Sequence, residues 1–203
     1  MRKLAVLCSV GLLMLALAAC SGDENGEQVG EKADGSRTES LQGSDGEQPT
    51  EAAYEANLQS VKTALRETLK EAYLPNAEIK ADELAETYGI TADMYDAAFA
   101  ERAGEGAVDT VILVLAKEGQ TDAVEEAMNA YRDLMVNDTT QTPENMNKIQ
   151  ASRIERIGNY VCYVQLGATA AIGAEAIDDE IIMQCQEQNE LAIAVIEQNI
   201  RHY

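Results

Sequence analysis

The sequence predicts an α+β fold in which about three mainly antiparallel strands are packed by helices. Two patterns support this class: helical three-and-four spacing of apolar residues in most segments, and a few short runs with strand character. The length of 203 residues suits one domain plus a tail and allows a sizeable core. We expect three parts, residues 1–19, 20–53 and 54–203, of which only the last folds into the domain.

Residues 1–19 have the pattern of a removable export signal. Met1-Arg2-Lys3 is a short basic start, and the run from Leu4 to Ala19 carries no charge and ends in small residues. A basic start, an apolar centre and small residues near the cleavage point are typical of secretory signal peptides. The uncharged run is also short for a bilayer span, which needs about 20 residues.

Leu17-Ala18-Ala19-Cys20 closes this segment and resembles the lipobox of bacterial lipoproteins. In that motif the Cys thiol receives a diacylglycerol and becomes the mature N-terminus. The resemblance implies that Cys20 carries acyl chains such as palmitate and anchors the chain on the extracytoplasmic face of the cell membrane. Two or three acyl chains suffice, because each buried methylene contributes roughly 0.8 kcal/mol. An ordinary signal peptide that contains a Cys is the alternative.

The segment after Cys20 has the composition of a disordered, acidic linker. Residues 21–50 contain six Gly, eight acidic and two basic residues, with only three aliphatic positions. Such a segment cannot bury enough apolar surface to offset its ordering entropy. Asp23-Glu24-Asn25-Gly26 lacks the ligand spacing of an EF-hand, so we expect a solvated linker over residues 20–53.

Two helices are predicted at the start of the domain. Apolar residues from Tyr54 to Ala72 recur at helical spacing, and Pro75 disfavours helical geometry in the residue before it. The first helix should therefore end near Pro75. Asp82–Tyr88 is predicted as a short second helix, stopped by Gly89.

Three segments have strand character. The segment from Val108 to Ala116 is β-branched and apolar on both faces, as expected of a central strand covered from both sides. Residues 95–103 precede it across the turn Gly104-Glu105-Gly106, with a helix as the alternative because of their Ala content. Residues 159–166 alternate and form the third predicted strand.

Two more helices are predicted between the second and third strands. Thr142-Pro143-Glu144 supplies a cap, a Pro at the first helical position and an acid in the first turn, for a helix to about Ile154. Thr121 should cap the helix before it, which runs to about Val136. Its predicted inward residues are Val124, Met128, Tyr131 and Leu134 or Met135.

The C-terminal stretch is predicted to be helical from about Glu175. Asp178-Asp179-Glu180 lies near its start, where the helix dipole favours negative charge; weak divalent-cation binding is the alternative. Gln188-Asn189 interrupts the apolar stripe. The predicted inward positions are Ile177, Ile181, Cys185, Ala192, Ile196 and Ile200.

Four short motifs recur in an order known from one family. They are Leu84-Ala-Glu-Thr-Tyr-Gly-Ile90, Ala116-Lys117, Tyr131-Arg132 and Gly158-Asn-Tyr-Val161. Over roughly residues 70–166 the chain resembles the bacterial lipoproteins of the domain-of-unknown-function family 4358, found mostly in Gram-positive anaerobes. The resemblance implies a fold and an extracytoplasmic place, and no chemistry, because the family has no established activity.

The chain departs from the family pattern in two places. Thr142-Pro143 stands where the family usually has Tyr-Pro. The tail after Leu166 is longer and richer in Gln and Asn than the family leads us to expect. The packing of the C-terminal helix is therefore the part of the fold on which the resemblance says least.

Composition excludes several function classes. The formal net charge of −21 argues against nucleic acid as a partner, because phosphate binding depends on clustered Lys and Arg. A single His excludes sites built on two histidines, including most zinc sites. Gly104-x-Gly106 lacks the third Gly of a dinucleotide loop. From these observations taken together, we expect no cofactor and no metal.

Cys162 and Cys185 are the only thiols after Cys20, and both fall on predicted buried faces. Outside the cytoplasm they could form a disulfide, which would stabilise the fold by about 3 kcal/mol. Two buried free thiols that act as small apolar side chains are the alternative. No His lies nearby in sequence to activate either one, which disfavours a reactive cysteine.

These patterns favour a non-catalytic binding or structural module at the cell envelope. Its partners would be the membrane, through Cys20, and an envelope protein. A small-ligand or divalent-cation sensor, with acids or Tyr side chains lining a pocket, is the first alternative. A carboxylate-dependent envelope hydrolase is the second; it needs two carboxyls about 5 to 10 Å apart in a shaped cleft.

Overall fold

The computed structural model describes residues 49–167 and 178–202. The predicted signal peptide, Cys20 and nearly all of the predicted linker lie outside the described residues. The helices are α1 (Glu51–Leu69), α2 (Ala81–Tyr88), α3 (Thr121–Val136), α4 (Pro143–Ala151) and α5 (Asp178–Asn199). The strands are β1 (Ala77–Glu78), β2 (Tyr95–Arg102), β3 (Thr110–Ala116), β4 (Arg153–Ile157) and β5 (Tyr160–Gln165).

The strands form one antiparallel sheet with the order β1-β2-β3-β5-β4. The α+β class is confirmed, and the three predicted strands are β2, β3 and β5. The expected number of about three strands is too low, because the sheet has five. β1 has only two residues, and β4 is an edge strand with three charged residues that leave no apolar run to recognise.

Helices cover both faces of the sheet. Every residue of β3 is buried, which confirms the predicted central strand. One face packs on α1 and α5, and its strand residues include Phe99, Leu113, Cys162 and Val164. The other face packs on α2 and α3, and its strand residues include Ala100, Ile112, Val114 and Tyr163.

Several predicted helix boundaries hold and others shift. Thr142 caps α4 by accepting the Asn145 N–H, and Gly89 ends α2 at φ +71°, as predicted. α1 begins three residues before the predicted Tyr54, at Glu51, and α4 gives way to β4 before the predicted Ile154. The N-cap of α3 is Gln120, so the prediction of Thr121 is wrong.

The burial of α3 and α5 differs in part from the periodicity-based prediction. Of the predicted alternatives Leu134 and Met135, Met135 is half-buried and Leu134 is 70% exposed, because the packed apolar stripe of α3 faces the sheet only as far as Tyr131. Gln188 and Asn189, in contrast, are buried among apolar neighbours. Among the described residues, no helix combines the length and apolar character needed to cross a bilayer.

Candidate functional site

A groove follows the outer edge of β2, between that strand and α1. Its cavity volume is about 470 Å³, and residues 95–101 form one side of it. Besides the buried Glu101, four carboxylates line it: Glu51 and Glu55 from α1, Glu78 from β1 and Asp96 from β2. All four of these side chains belong to exposed residues. We call this surface the acidic groove.

The groove exists because β1 is too short to cover β2. β1 pairs with β2 only at Glu101 and Arg102, and beyond that point the Ile79 N–H donates to the Ala100 carbonyl at 2.9 Å. α2 begins at Ala81, so the chain leaves the sheet edge there. Within the described residues, the first half of β2 therefore has β3 on one side and no strand on the other.

The charge of the groove is not neutralised from within. None of its four carboxylates has a salt-bridge partner in the described part of the chain. Lys62 also lines the groove, but its Nζ lies 2.5 Å from Oε1 of Glu101 and is committed there. The surface thus presents uncompensated negative charge to solvent.

Glu101 holds the two walls of the groove together. Its side chain is 3% exposed, and Arg66 Nη2 donates to both of its oxygens at 2.9 and 3.1 Å. The Tyr73 hydroxyl donates to Oε2 at 3.0 Å. Burial and the adjacent carboxylate raise the pKa of Tyr73, so this hydroxyl keeps its proton. These bonds tie α1 to β2 and keep the groove in one shape.

A second cavity extends the groove past the end of the sheet. Its volume is about 990 Å³, and Glu51 and Asp96 line both cavities. It reaches Glu118, after β3, and the exposed His202 near the C-terminal end of the described chain. The negative surface therefore continues from β1 to the far end of β3.

A separate charged cluster is packed and closed. Lys148 Nζ donates to Asp109 Oδ2 at 2.8 Å, and the Gly167 N–H donates to the other oxygen at 2.9 Å. The two charged side chains are 8% and 0% exposed. A Cβ on Gly167 would lie 2.6 Å from Lys148 Cγ and 2.8 Å from the sulfur of Cys185. The cluster leaves no room for a ligand, and we assign it a role in stabilising the fold.

A third region carries tyrosines. The rings of Tyr88 and Tyr131 are 4.4 Å apart, and those of Tyr131 and Tyr163 are 5.7 Å apart. Burial raises the pKa of all three hydroxyls. A cavity of about 290 Å³ beside Tyr88 and Tyr131 also includes Glu83 and Arg102, which pair at 3.0 Å. Two tyrosines thus line this cavity, as the sensor alternative requires, and Tyr54 and Tyr160 likewise line the second cavity beside the acidic groove.

The comparison with known families decides what the central part of the chain is. Residues 70–166 match the family model described as Domain of unknown function (DUF4358). This segment is a DUF4358 domain. The predicted resemblance to this domain family is thereby confirmed over the same residues, and the lipoprotein anchor stays a prediction. No curated protein and no solved structure matches the chain.

The DUF4358 domain contains the whole sheet and the helices α2, α3 and α4. α1 and α5, which cover one face of that sheet, lie outside the matched residues. The acidic groove spans this boundary: Glu78 and Asp96 belong to the DUF4358 domain, and Glu51 and Glu55 belong to α1. The flanking helix therefore completes a surface that the DUF4358 domain only half supplies.

The DUF4358 domain brings no metal-ligand group together. Among residues 49–167 and 178–202, no group of three or more His, Cys, Asp or Glu side chains is arranged to hold a metal ion. The predicted divalent-cation alternative thus finds no preformed site in this part of the chain. The four carboxylates of the acidic groove are spread along its length.

The two predicted site cysteines are buried free thiols in the structure. Cys162, in β5 of the DUF4358 domain, faces α1 and α5, whereas Cys185, in α5, lies against Gly167 and Lys148. Burial raises the pKa of Cys162 to about 12, and it also raises that of Cys185. Both are poor nucleophiles at neutral pH. The disulfide between them stays a prediction.

Thiol labelling separates the two predicted states of these cysteines. In the mature chain with Cys20→Ser, we expect a maleimide to leave Cys162 and Cys185 unmodified while the domain is folded, because both are buried. In guanidinium the intact mass should rise by two adducts. A chain that gains adducts only after reduction would instead contain the disulfide, and labelling of the folded chain would contradict the burial of the thiols.

The sequence predicts Cys20, Cys162 and Cys185 as site residues, but not the acidic groove. Acidic residues occur throughout the chain, so residue type alone does not single out the four that line the groove. The only available signal was indirect: no strand long enough to pair with residues 95–103 precedes them. Such a strand has an open edge unless a later segment pairs with it.

Proposed function

We propose that this protein is a lipid-anchored, non-catalytic binding module on the extracytoplasmic face of the cell membrane. In this proposal its acidic groove binds a positively charged segment of an envelope protein. One observation carries the binding role: an open sheet edge lined by four carboxylates without salt-bridge partners in the described residues. The lipobox at Cys20 supports the anchor.

Charge supports a cationic partner. Four uncompensated acids along one groove make a continuous negative potential, which speeds encounter with positive surfaces and repels negative ones. The linker before the domain is also strongly acidic. Its negative charge therefore adds to the attraction for a cationic partner.

The predicted linker supports the proposed anchor by its length. With the coil-like dimensions that their composition predicts, residues 21–50 would have an average end-to-end distance of roughly 30 Å. The described chain enters the domain at Pro49, which lines the cavity that continues the groove. The proposed anchor thus holds the groove near the bilayer and leaves the domain free to turn toward a partner.

The sensor and hydrolase alternatives have less support from the contacts in the structure. The cavity beside Tyr88 and Tyr131 is smaller than the acidic groove, at about 290 Å³, and its Glu83 and Arg102 already pair with each other. A hydrolase would need a shaped cleft that holds two carboxyls at a set distance. The groove carboxylates instead lie along an open edge, which suits a long, flexible ligand better than a single reacting bond.

Site-specific photocrosslinking in cells tests the binding role. A photoreactive residue at Gln59, which is exposed in the groove, should give an adduct with one envelope protein. The adduct should fall at least about tenfold in a Glu55→Lys, Asp96→Lys variant, because both changes place positive charge against a cationic partner. The control position is Leu134, which is exposed on α3.

The outcome at the two positions decides the proposal. An adduct at Gln59 that persists in the charge-reversed variant shows that the groove acids do not select the partner. Equal labelling of the same neighbours from Gln59 and Leu134, in proportion to their abundance, would mean that the groove has no specific partner. Either result contradicts the proposed function.

A further inference from the structure

We infer that the acidic groove binds its partner by strand addition, in which an extended segment rich in Lys or Arg pairs with the open edge of β2. This inference rests on the proposed function above and specifies how the partner is held. It makes the backbone of β2, in addition to the groove carboxylates, part of the binding surface. Side-chain charge would select the partner, and main-chain hydrogen bonds would orient it.

The direction of the β2 backbone supports this mode. The Arg102 and Ala100 carbonyls accept the Asn76 and Ile79 N–H groups, so these two residues face the outer edge of the sheet. In an antiparallel ladder the N–H and C=O of a residue point to the same side, and every second residue repeats that side. Ala98 therefore presents one donor and one acceptor to the groove, and no described strand pairs with them.

The walls of the groove suit a strand. Leu58 and Phe99 line the groove on the α1 side but are 3% and 6% exposed, while Glu51 and Glu55 stand exposed on the same helix nearer its start. An added strand alternates its side chains between the two faces of the sheet. Side chains that point toward α1 thus meet mainly carboxylates, which the charged head of Lys or Arg satisfies.

Charge excludes the two nearest competing occupants. Residues 21–50 carry eight acids against two bases, so their entry into the groove would bring like charges together. A second copy that pairs through its own β2 edge would add another set of the same four carboxylates.

Peptide binding to the full-length protein in nonionic detergent tests the inference. The probe is a fluorescent hexapeptide of alternating Lys and Val, and its acidic counterpart of alternating Glu and Val is the charge control. Two further probes carry backbone N-methyl groups on all Lys or on all Val residues. Because only alternate amides face β2, one methylated peptide should bind about tenfold more weakly, and the other should match the parent.

The pattern across the probes separates strand addition from binding by charge alone. Equal effects of the two methylations overturn strand addition, and so does failure of the parent peptide to bind at millimolar concentration. If the methylations act equally and parent binding is also lost in the Glu55→Lys, Asp96→Lys variant, charge recognition in the groove survives while strand addition fails. The crosslinking experiment judges the groove itself, so the two failures remain distinct.

A variant of β2 supplies a second measurement. Ala98→Pro removes the outward N–H without removing a bond to β3, a position at which an edge strand tolerates Pro. It should abolish binding of the parent peptide. If the variant does not fold, the methylated peptides still decide. A concentration-dependent dimer of the parent protein that disappears in a folded Ala98→Pro variant would identify a second copy as the occupant and overturn the inference.

Discussion

Replacing Lys148 with methionine should lower the free energy of unfolding by about 3–5 kcal/mol. Methionine keeps most of the side-chain volume but leaves the Asp109 carboxylate, which is 0% exposed, without its cation. The Gly167 N–H at 2.9 Å is then the main remaining partner of that buried charge. Chemical denaturation followed by circular dichroism measures the change as a lower midpoint.

Matched variants separate the effect of burying an ion pair on stability from the effect of forming one. Arg153→Met breaks the exposed pair with Glu190 at 3.4 Å and should cost less than about 1 kcal/mol. Adding Asp109→Asn to Lys148→Met removes the isolated charge and should recover part of the lost stability. A Lys148→Met protein as stable as Arg153→Met would show that the buried pair contributes no more than a surface one.

The Cys20→Ala chain should leave the membrane fraction. In the proposed anchor the thiol of Cys20 carries the acyl chains, so without it the free energy of burying about thirty or more methylenes in the bilayer would be lost. Cell fractionation should find this variant in the soluble extracytoplasmic fraction, and mass spectrometry of the parent should find a diacylglycerol on Cys20.

A second cysteine variant provides the control for this experiment. Cys185→Ala removes a buried thiol of α5 and should leave the chain on the membrane. If the Cys20→Ala chain sediments with membranes as fully as the parent, and the parent carries no fatty acid, the lipid anchor is wrong. The groove proposal would then stand without its place in the cell.

Local patterns were enough to predict the elements that local chemistry determines. The caps at Thr142 and Gly89 follow from residue type and backbone geometry, and the buried β3 follows from its unbroken apolar run. β4 escaped prediction because its exposed charged residues are typical of many loops as well as of edge strands. β4 is recognised as a strand by its pairing with β5, and the sequence of its five residues alone does not reveal that pairing.

The polar interior could not be predicted, because it depends on contacts distant in sequence. Asn189 looked like a gap in an apolar stripe, yet its amide donates to the Ala151 carbonyl at 2.9 Å and accepts the Leu166 N–H at 2.8 Å. Lys148 and Asp109 are 39 residues apart. Each partner alone has the composition of a solvated surface residue, and only the fold brings the two together. The acidic groove escaped prediction for the same reason.

The position of β3 in the sheet has a consequence for folding during synthesis. β2 and β3 are consecutive and can pair as soon as residues 95–116 are available, but the other edge of β3 pairs with β5, which follows about forty residues later. In that interval a seven-residue apolar strand has one unpaired edge, which is the kind of segment that starts aggregation. Slow translation or export between these strands should therefore lower the yield of native protein.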